Sequence, residues 1–199
     1  MQRKALLLNV QPKVARRFET CNPRLRIRVA TRYLGLRTGS TITGLREEPK
    51  PMPGLAIERE VLIEAPQEVV WRVITEPDQM SLWFAERVDL VVEPGAHGYM
   101  SFGDQGGPVV VEAVDPPARF SFRWNHPRGE DPVAGNSMLV EFTLTPEGAE
   151  WTRLRVSESG HELRDWPDAE KQRYADEHQE GWAEFLDRLA SVLAERQPG

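Results

Sequence analysis

From residue 57 onward, apolar positions recur first at every second residue and then in helical stripes, with Gly and Pro marking the breaks. Ile57 to Glu64 mostly alternates and predicts a strand, which Ala65-Pro66 ends. Pro66 suits the first turn of a helix, where its missing N–H costs nothing. Val70, Trp71 and Ile74 then fall on one face of a helix over PQEVVWRVIT, so Trp71 is expected in the core. Glu76-Pro77 breaks that helix. Asp78 is placed to cap a second short one, DQMSLWFA, which carries Leu82, Trp83 and Phe84.

Six further strands follow between tight turns: Arg87 to Val92, His97 to Phe102, Val109 to Val114, Arg119 to Asn125, Met138 to Leu144 and Trp151 to Ser157. Phe120, Phe122 and Trp124 share one face of their strand, as do Val140, Phe142 and Leu144, and Thr152, Leu154 and Val156. Glu112 and Glu141 fall on the outer faces. The chain ends in a long helix, with Asp165 or Asp168 as its expected cap and apolar or aromatic positions at 174, 178, 182, 185, 186, 189, 192 and 193. The expected class is α+β: a curved antiparallel sheet, two short helices after the first strand, and a long C-terminal helix covering one sheet face.

Charge divides the chain in two. Residues 1–50 carry 12 Lys+Arg against 3 Asp+Glu, a net +9, whereas residues 51–199 carry 13 against 28, a net −15. In the basic part Arg24, Arg26, Arg28 and Arg32 interleave with Leu25, Ile27 and Val29, and Pro49, Pro51 and Pro53 stiffen the link to the acidic part. This stretch lacks an apolar period long enough for its own core. Residues 1–54 therefore read as a basic, disordered extension and Pro-rich linker, and residues 55–196 as the domain. A nucleic-acid-binding arm and an Arg-rich transit peptide are the competing readings of the extension, both less favoured than disorder, and nucleic acid is not an expected partner. Cys21 is the one cysteine, which excludes an intramolecular disulfide. No apolar run approaches the roughly 20 residues that span a bilayer, so no membrane partner is expected and the cytoplasm is the expected compartment.

The order strand, two helices, six strands, long helix is that of helix-grip domains, and local motifs agree. IEAPQEVVWRVITEPDQMSLWF, the turn Glu93-Pro94-Gly95, Val114-Asp115-Pro116-Pro117 followed by Phe120-Ser121-Phe122-Arg123-Trp124, and Glu180-Gly181-Trp182 with Leu186 and Leu189 occur in that order. Over about 140 residues the chain resembles the SRPBCC (START-like) superfamily, and within it the activator of Hsp90 ATPase homologue 1-like family. Ala96 departs from the second turn glycine common there.

The resemblance implies a cavity between sheet and helix for an apolar molecule. The aromatic residues supply its expected lining, and the candidate ligand-binding residues are Trp83, Phe84, Tyr99, Phe122, Trp124, Tyr174, His178, Trp182 and Phe185. Aromatics on facing elements also make plain core, and a filled interior is the alternative. His178 lies on the helical stripe one turn before Trp182 and one turn after Tyr174. Such a pair facing a cavity could polarise a carbonyl, and a histidine at the stripe's edge with its polar end in water is the other reading. The four histidines lack helical metal-site spacing, so no metal site is expected. With neither a serine elbow nor a phosphate loop nor a dinucleotide fingerprint, no catalytic residue or cofactor is assigned. Gly103-Asp104-Gln105-Gly106-Gly107 opens no helix and reads as a hairpin turn.

The resemblance implies three functions: non-catalytic binding of a small apolar or amphipathic ligand, which is the leading expectation; an enzyme like the polyketide cyclases or aromatases of the superfamily, using the same cavity; and a protein-interaction module for an Hsp90-type chaperone. The last is weakened because residues 1–50 are too short to replace the separate N-terminal domain of eukaryotic activators.

Overall fold

The computed structural model describes residues 55–124 and 130–195. The basic stretch and Pro-rich linker at 1–54 lie outside the described residues, as does part of the polar loop after Trp124. Strand β1 (Ile57–Ile63) leads into helices α1 (Gln67–Thr75) and α2 (Pro77–Met80). Six strands follow, β2 (Arg87–Asp89), β3 (His97–Phe102), β4 (Gln105–Asp115), β5 (Arg119–Trp124), β6 (Met138–Pro146) and β7 (Thr152–Ser159). A short 3-10 turn (His161–Leu163) and the 27-residue helix α3 (Asp168–Ala194) complete the order.

The strands form one antiparallel sheet in the order β1-β7-β6-β5-β4-β3-β2. Every neighbour from β2 to β7 is also a neighbour in sequence, so short turns suffice. β1 closes on β7 instead, with Val61 opposite Leu154. The predicted inner faces are observed: Val140, Phe142 and Leu144 of β6 and Thr152, Leu154 and Val156 of β7 are buried, and Met138 joins them. On the outer face Glu112 bonds Arg123 at 2.9 Å and Glu141 bonds Arg119 at 2.6 Å. A bulge between Val111 and Ala113 shifts the register, so that Val114 stands opposite Phe120.

Four local expectations are corrected. The buried face of α1 is Val70, Val73 and Ile74, and Trp71 is only half-buried, because the helix is rotated toward Val73 when it meets the sheet. Asp78 caps nothing: α2 begins at Pro77 with Glu76 as its N-cap and ends at Met80. Its continuation is a turn that buries Trp83 and Phe84 and leaves Leu82 55% exposed. Neither Asp165 nor Asp168 caps α3. Pro167 holds the N-cap position, and Asp168 and Glu170 face the positive helix end within the first turn. The hairpin turn is also tighter than expected, since β4 already begins at Gln105. Among the described residues no helix is long and apolar enough to cross a membrane.

Candidate functional site

Among the described residues one carboxylate is buried in the interior. Alternation along β7 carries the inward face past Val156 to Glu158, which is 0% exposed. A buried carboxylate is tolerable only when its oxygens are hydrogen-bonded. Three donors converge on it. Trp124 Nε1 of β5 donates at 2.9 Å, Trp182 Nε1 of α3 donates at 2.6 Å, and His178 Nδ1 of α3 lies 2.9 and 3.0 Å from the two oxygens. Burial pushes the Glu158 carboxyl up. The imidazoles of His178 and His161 and the Trp182 indole N–H outweigh it and hold the group at about 2.

Immediately after β7 the backbone turns over at Gly160, whose φ is 106°. A side chain there would meet the Ser137 carbonyl oxygen at 2.8 Å, so only glycine fits. The turn lays His161 back over Glu158. Its ring is edge-on to that of His178 at 5.5 Å, and the Tyr174 ring lies tilted at 42° against His178 with centroids 4.2 Å apart. Burial drives the His161 imidazole toward its neutral form and raises the Tyr174 phenol. Both ring nitrogens of His161 are buried with no hydrogen-bond partner. One ligand atom each from Glu158, His161 and His178 lies within 4.8 Å of the others, so these three could hold a metal ion.

Beside this polar cluster the space between sheet and helix is filled. Phe84 stacks on Trp182 at 5.4 Å and 16°, meets Phe185 edge-on at 4.9 Å and touches Trp124 at 5.4 Å. Phe122 lies 6.0 Å from Phe84, and Trp83 meets Phe142 edge-on. The crevice left between Phe102, Trp124, His178, Trp182 and Phe185 measures about 20 Å³, room for a water molecule. Next to it, sharing Phe102 and Phe185, a cleft of about 270 Å³ lies between α3, the β3–β4 hairpin and the turn after α2. Phe84, Phe102 and Phe185 wall it, and Asp104, Gln105 and Arg188 contribute polar groups. The Arg188 guanidinium lies 5.5 Å from the Phe185 ring centroid. A more open hollow of about 380 Å³ lies against Trp71, Leu90 and Val114, and none of the expected site residues lines it.

Of the nine expected ligand-binding residues, Trp83, Phe84, Phe122, Trp124, Tyr174, His178, Trp182 and Phe185 are buried together. Tyr99 is not among them. It alternates with buried Met100 on β3, points to the other face and is 42% exposed. His178 does not leave its polar end in water; Glu158 holds it in the core. Besides Arg188 at the cleft, Phe102, Glu158 and His161 escaped the sequence reading of the site. Phe102 shares the inner face of β3 with Met100, a relation already legible from their spacing. Glu158 continues the period of Thr152, Leu154 and Val156 by one step. Placing His161 beside His178 required the backbone reversal at Gly160, which periodicity does not reveal.

Residues 64–194 match the family described as activator of Hsp90 ATPase homolog 1-like protein. No curated protein matches the sequence. Protein MLL2253 from Mesorhizobium loti is 28% identical, with a TM-score of 0.58 over 72% of this chain and 99% of that one. DynU16, described as a putative protein in the dynemicin biosynthetic locus, is 31% identical with a TM-score of 0.58 over 73% of this chain. The match spans 49% of DynU16, about half its length. The Aha1 dimer from Colwellia psychrerythraea shares the fold at 19% identity, with a TM-score of 0.56 over 69% of this chain and 95% of that one.

Proposed function

The chain belongs to the activator of Hsp90 ATPase homolog 1-like family, and from that premise we propose that it binds a small amphipathic molecule non-catalytically in the cleft walled by Phe84, Phe102 and Phe185. The observation that carries this reading is the cleft itself, about 270 Å³ with an aromatic wall and a cation, Arg188, beside it. That volume is near the lower end of small-molecule sites. The ligand would lay an apolar ring or short chain against the phenylalanines and turn a polar end to Arg188, Gln105, Asp104 and Glu86, which also line the cleft. Its binding site is the outer end of the helix–sheet gap rather than the gap's middle, which aromatics occupy. The place of DynU16 in a biosynthetic locus agrees with a small-molecule role.

The cyclase-like reading is less supported. Tyr174 and His178 stand behind Trp124 and Trp182, and the crevice that reaches His178 is water-sized. A chaperone-binding role rests on likeness to Aha1 at the level of the fold.

Tryptophan fluorescence tests the proposal, because Trp83 lines the cleft and Trp124 lies 5.7 Å from Phe102. Titration with short fatty acids, flavonoids and aromatic polyketides should give a saturable change for at least one member. Phe185→Ala and Phe102→Ala should weaken it at least tenfold, and exposed Glu147→Gln should leave it unchanged. A panel without any saturable response overturns the proposal.

A further inference from the structure

We propose that Glu158, His161 and His178 form a buried binding site for one divalent transition-metal ion of the zinc type, separate from the ligand cleft. One carboxylate oxygen and two imidazole nitrogens are a donor set that Zn(II) and Co(II) favour over Ca(II) or Mg(II), which take oxygen ligands. All three side chains are buried, and their ligand atoms lie within 4.8 Å of one another.

Two further observations point to a ligand. The first is His161. A core imidazole normally donates from one nitrogen and accepts at the other, yet both nitrogens of this ring are buried without partners while the ring faces His178. The second is the support around Glu158. The indole N–H groups of Trp124 and Trp182 fix the carboxylate from β5 and α3, as outer hydrogen bonds orient the ligands of metal centres. Each carboxylate oxygen keeps a lone pair beyond its indole bond, and His178 Nδ1 now points at both. A metal ion would replace the proton between them.

The geometric demand is small. Metal–ligand bonds of about 2.0–2.1 Å at tetrahedral angles set ligand atoms about 3.3 Å apart. Glu158 and His178, now 2.9 Å apart, would open by about 0.4 Å. His161 would close by at most about 1.5 Å from the 4.8 Å limit. It sits on a three-residue turn between Gly160 and Arg164, outside the sheet ladder and outside α3, where such a shift disturbs neither.

If a hydrogen-bonded Glu158–His178 pair is the whole device, His161 has no part in it. The test therefore turns on His161. The full chain carrying Cys21→Ser, which removes the one thiol, is stripped with EDTA and titrated with Co(II) and then Zn(II). Expected are one equivalent bound, visible Co(II) bands of four- or five-coordinate intensity that Zn(II) abolishes, and quenched tryptophan emission as Co(II) binds beside Trp124 and Trp182. His161→Ala should weaken binding at least tenfold with an unchanged far-ultraviolet circular dichroism spectrum. Replacing exposed His97, which stands 3.6 Å from Asp131, should change nothing. Absence of stoichiometric binding at micromolar metal overturns the proposal, and so does binding that survives His161→Ala at full strength. Glu158→Gln is the second variant: it retains the side-chain shape and should lose the Co(II) bands.

Discussion

Replacing Glu158 with glutamine isolates what one buried charge does for this fold. The side chains have the same shape, so packing is preserved and only hydrogen bonding and charge change. The carboxylate accepts from two indoles and from His178 at 2.6–3.0 Å. Glutamine offers one oxygen and one NH2. His178 can change tautomer and accept from the NH2 at Nδ1, but one indole N–H must then face a donor. An orphaned buried donor costs about 1–3 kcal/mol, and a hydrogen bond to a charged group contributes about 1.5–3. A loss of about 2–4 kcal/mol is expected. Linkage gives a similar figure: the carboxyl displaced from 4.5 to about 2 corresponds to about 3 kcal/mol. At about 2–4 °C per kcal/mol for a chain of this size, Tm should fall by about 4–16 °C. The assay is thermal unfolding by circular dichroism and calorimetry, at pH 7 in EDTA so that no metal contributes. The sign of the pH dependence follows from a depressed folded-state value. The carboxylate's contribution is complete above pH 4.5 and vanishes as pH falls through about 2, so the gap between parent and variant should narrow across that window. Trp124→Phe removes one donor and leaves the carboxylate its other partners, so it should cost less. In the glutamine background it should cost still less, a coupling of about 1 kcal/mol or more. A Glu158→Gln protein that melts within about 1 °C of the parent, or a cycle with no coupling, refutes the reasoning.

Trp83→Ala should cost about 3–5 kcal/mol, since Trp83 is buried and its Nε1 donates to the Val73 carbonyl at 3.0 Å. Half-buried Trp71→Ala should cost less than half as much, and paired urea melts with equal or reversed losses would contradict this ranking. We also propose that residues 1–51 contribute little to the domain, because their sequence lacks a periodic apolar face. A chain beginning at Met52 should then melt within a few degrees of the full chain, and a loss on the order of 10 °C would mean that the basic stretch packs on the domain.

Local periodicity carried most of the architecture. The alternation through Val140, Phe142 and Leu144 and through Leu154 and Val156 predicts the inner sheet face, and the stripe from Tyr174 to Leu193 predicts the covering helix. Both follow from residues a few positions apart, because side-chain direction along a strand or helix is set by backbone geometry alone. Even Glu158 was legible as an inward residue once its strand was continued to Ser159. Its partners were not. Trp124 is 34 positions away and His178 and Trp182 are 20 and 24 away, so only strand register and the seating of α3 bring them to one carboxylate. Packing likewise decided whether the aromatics enclose space or fill it: the stacking of Phe84 on Trp182 closes the middle of the gap and leaves the cleft at its end. The rotation of α1 that half-exposes Trp71 arose in the same way. Burial of one flank of a helical stripe over another is chosen by the partner surface, and that surface exists only once the strands have assembled.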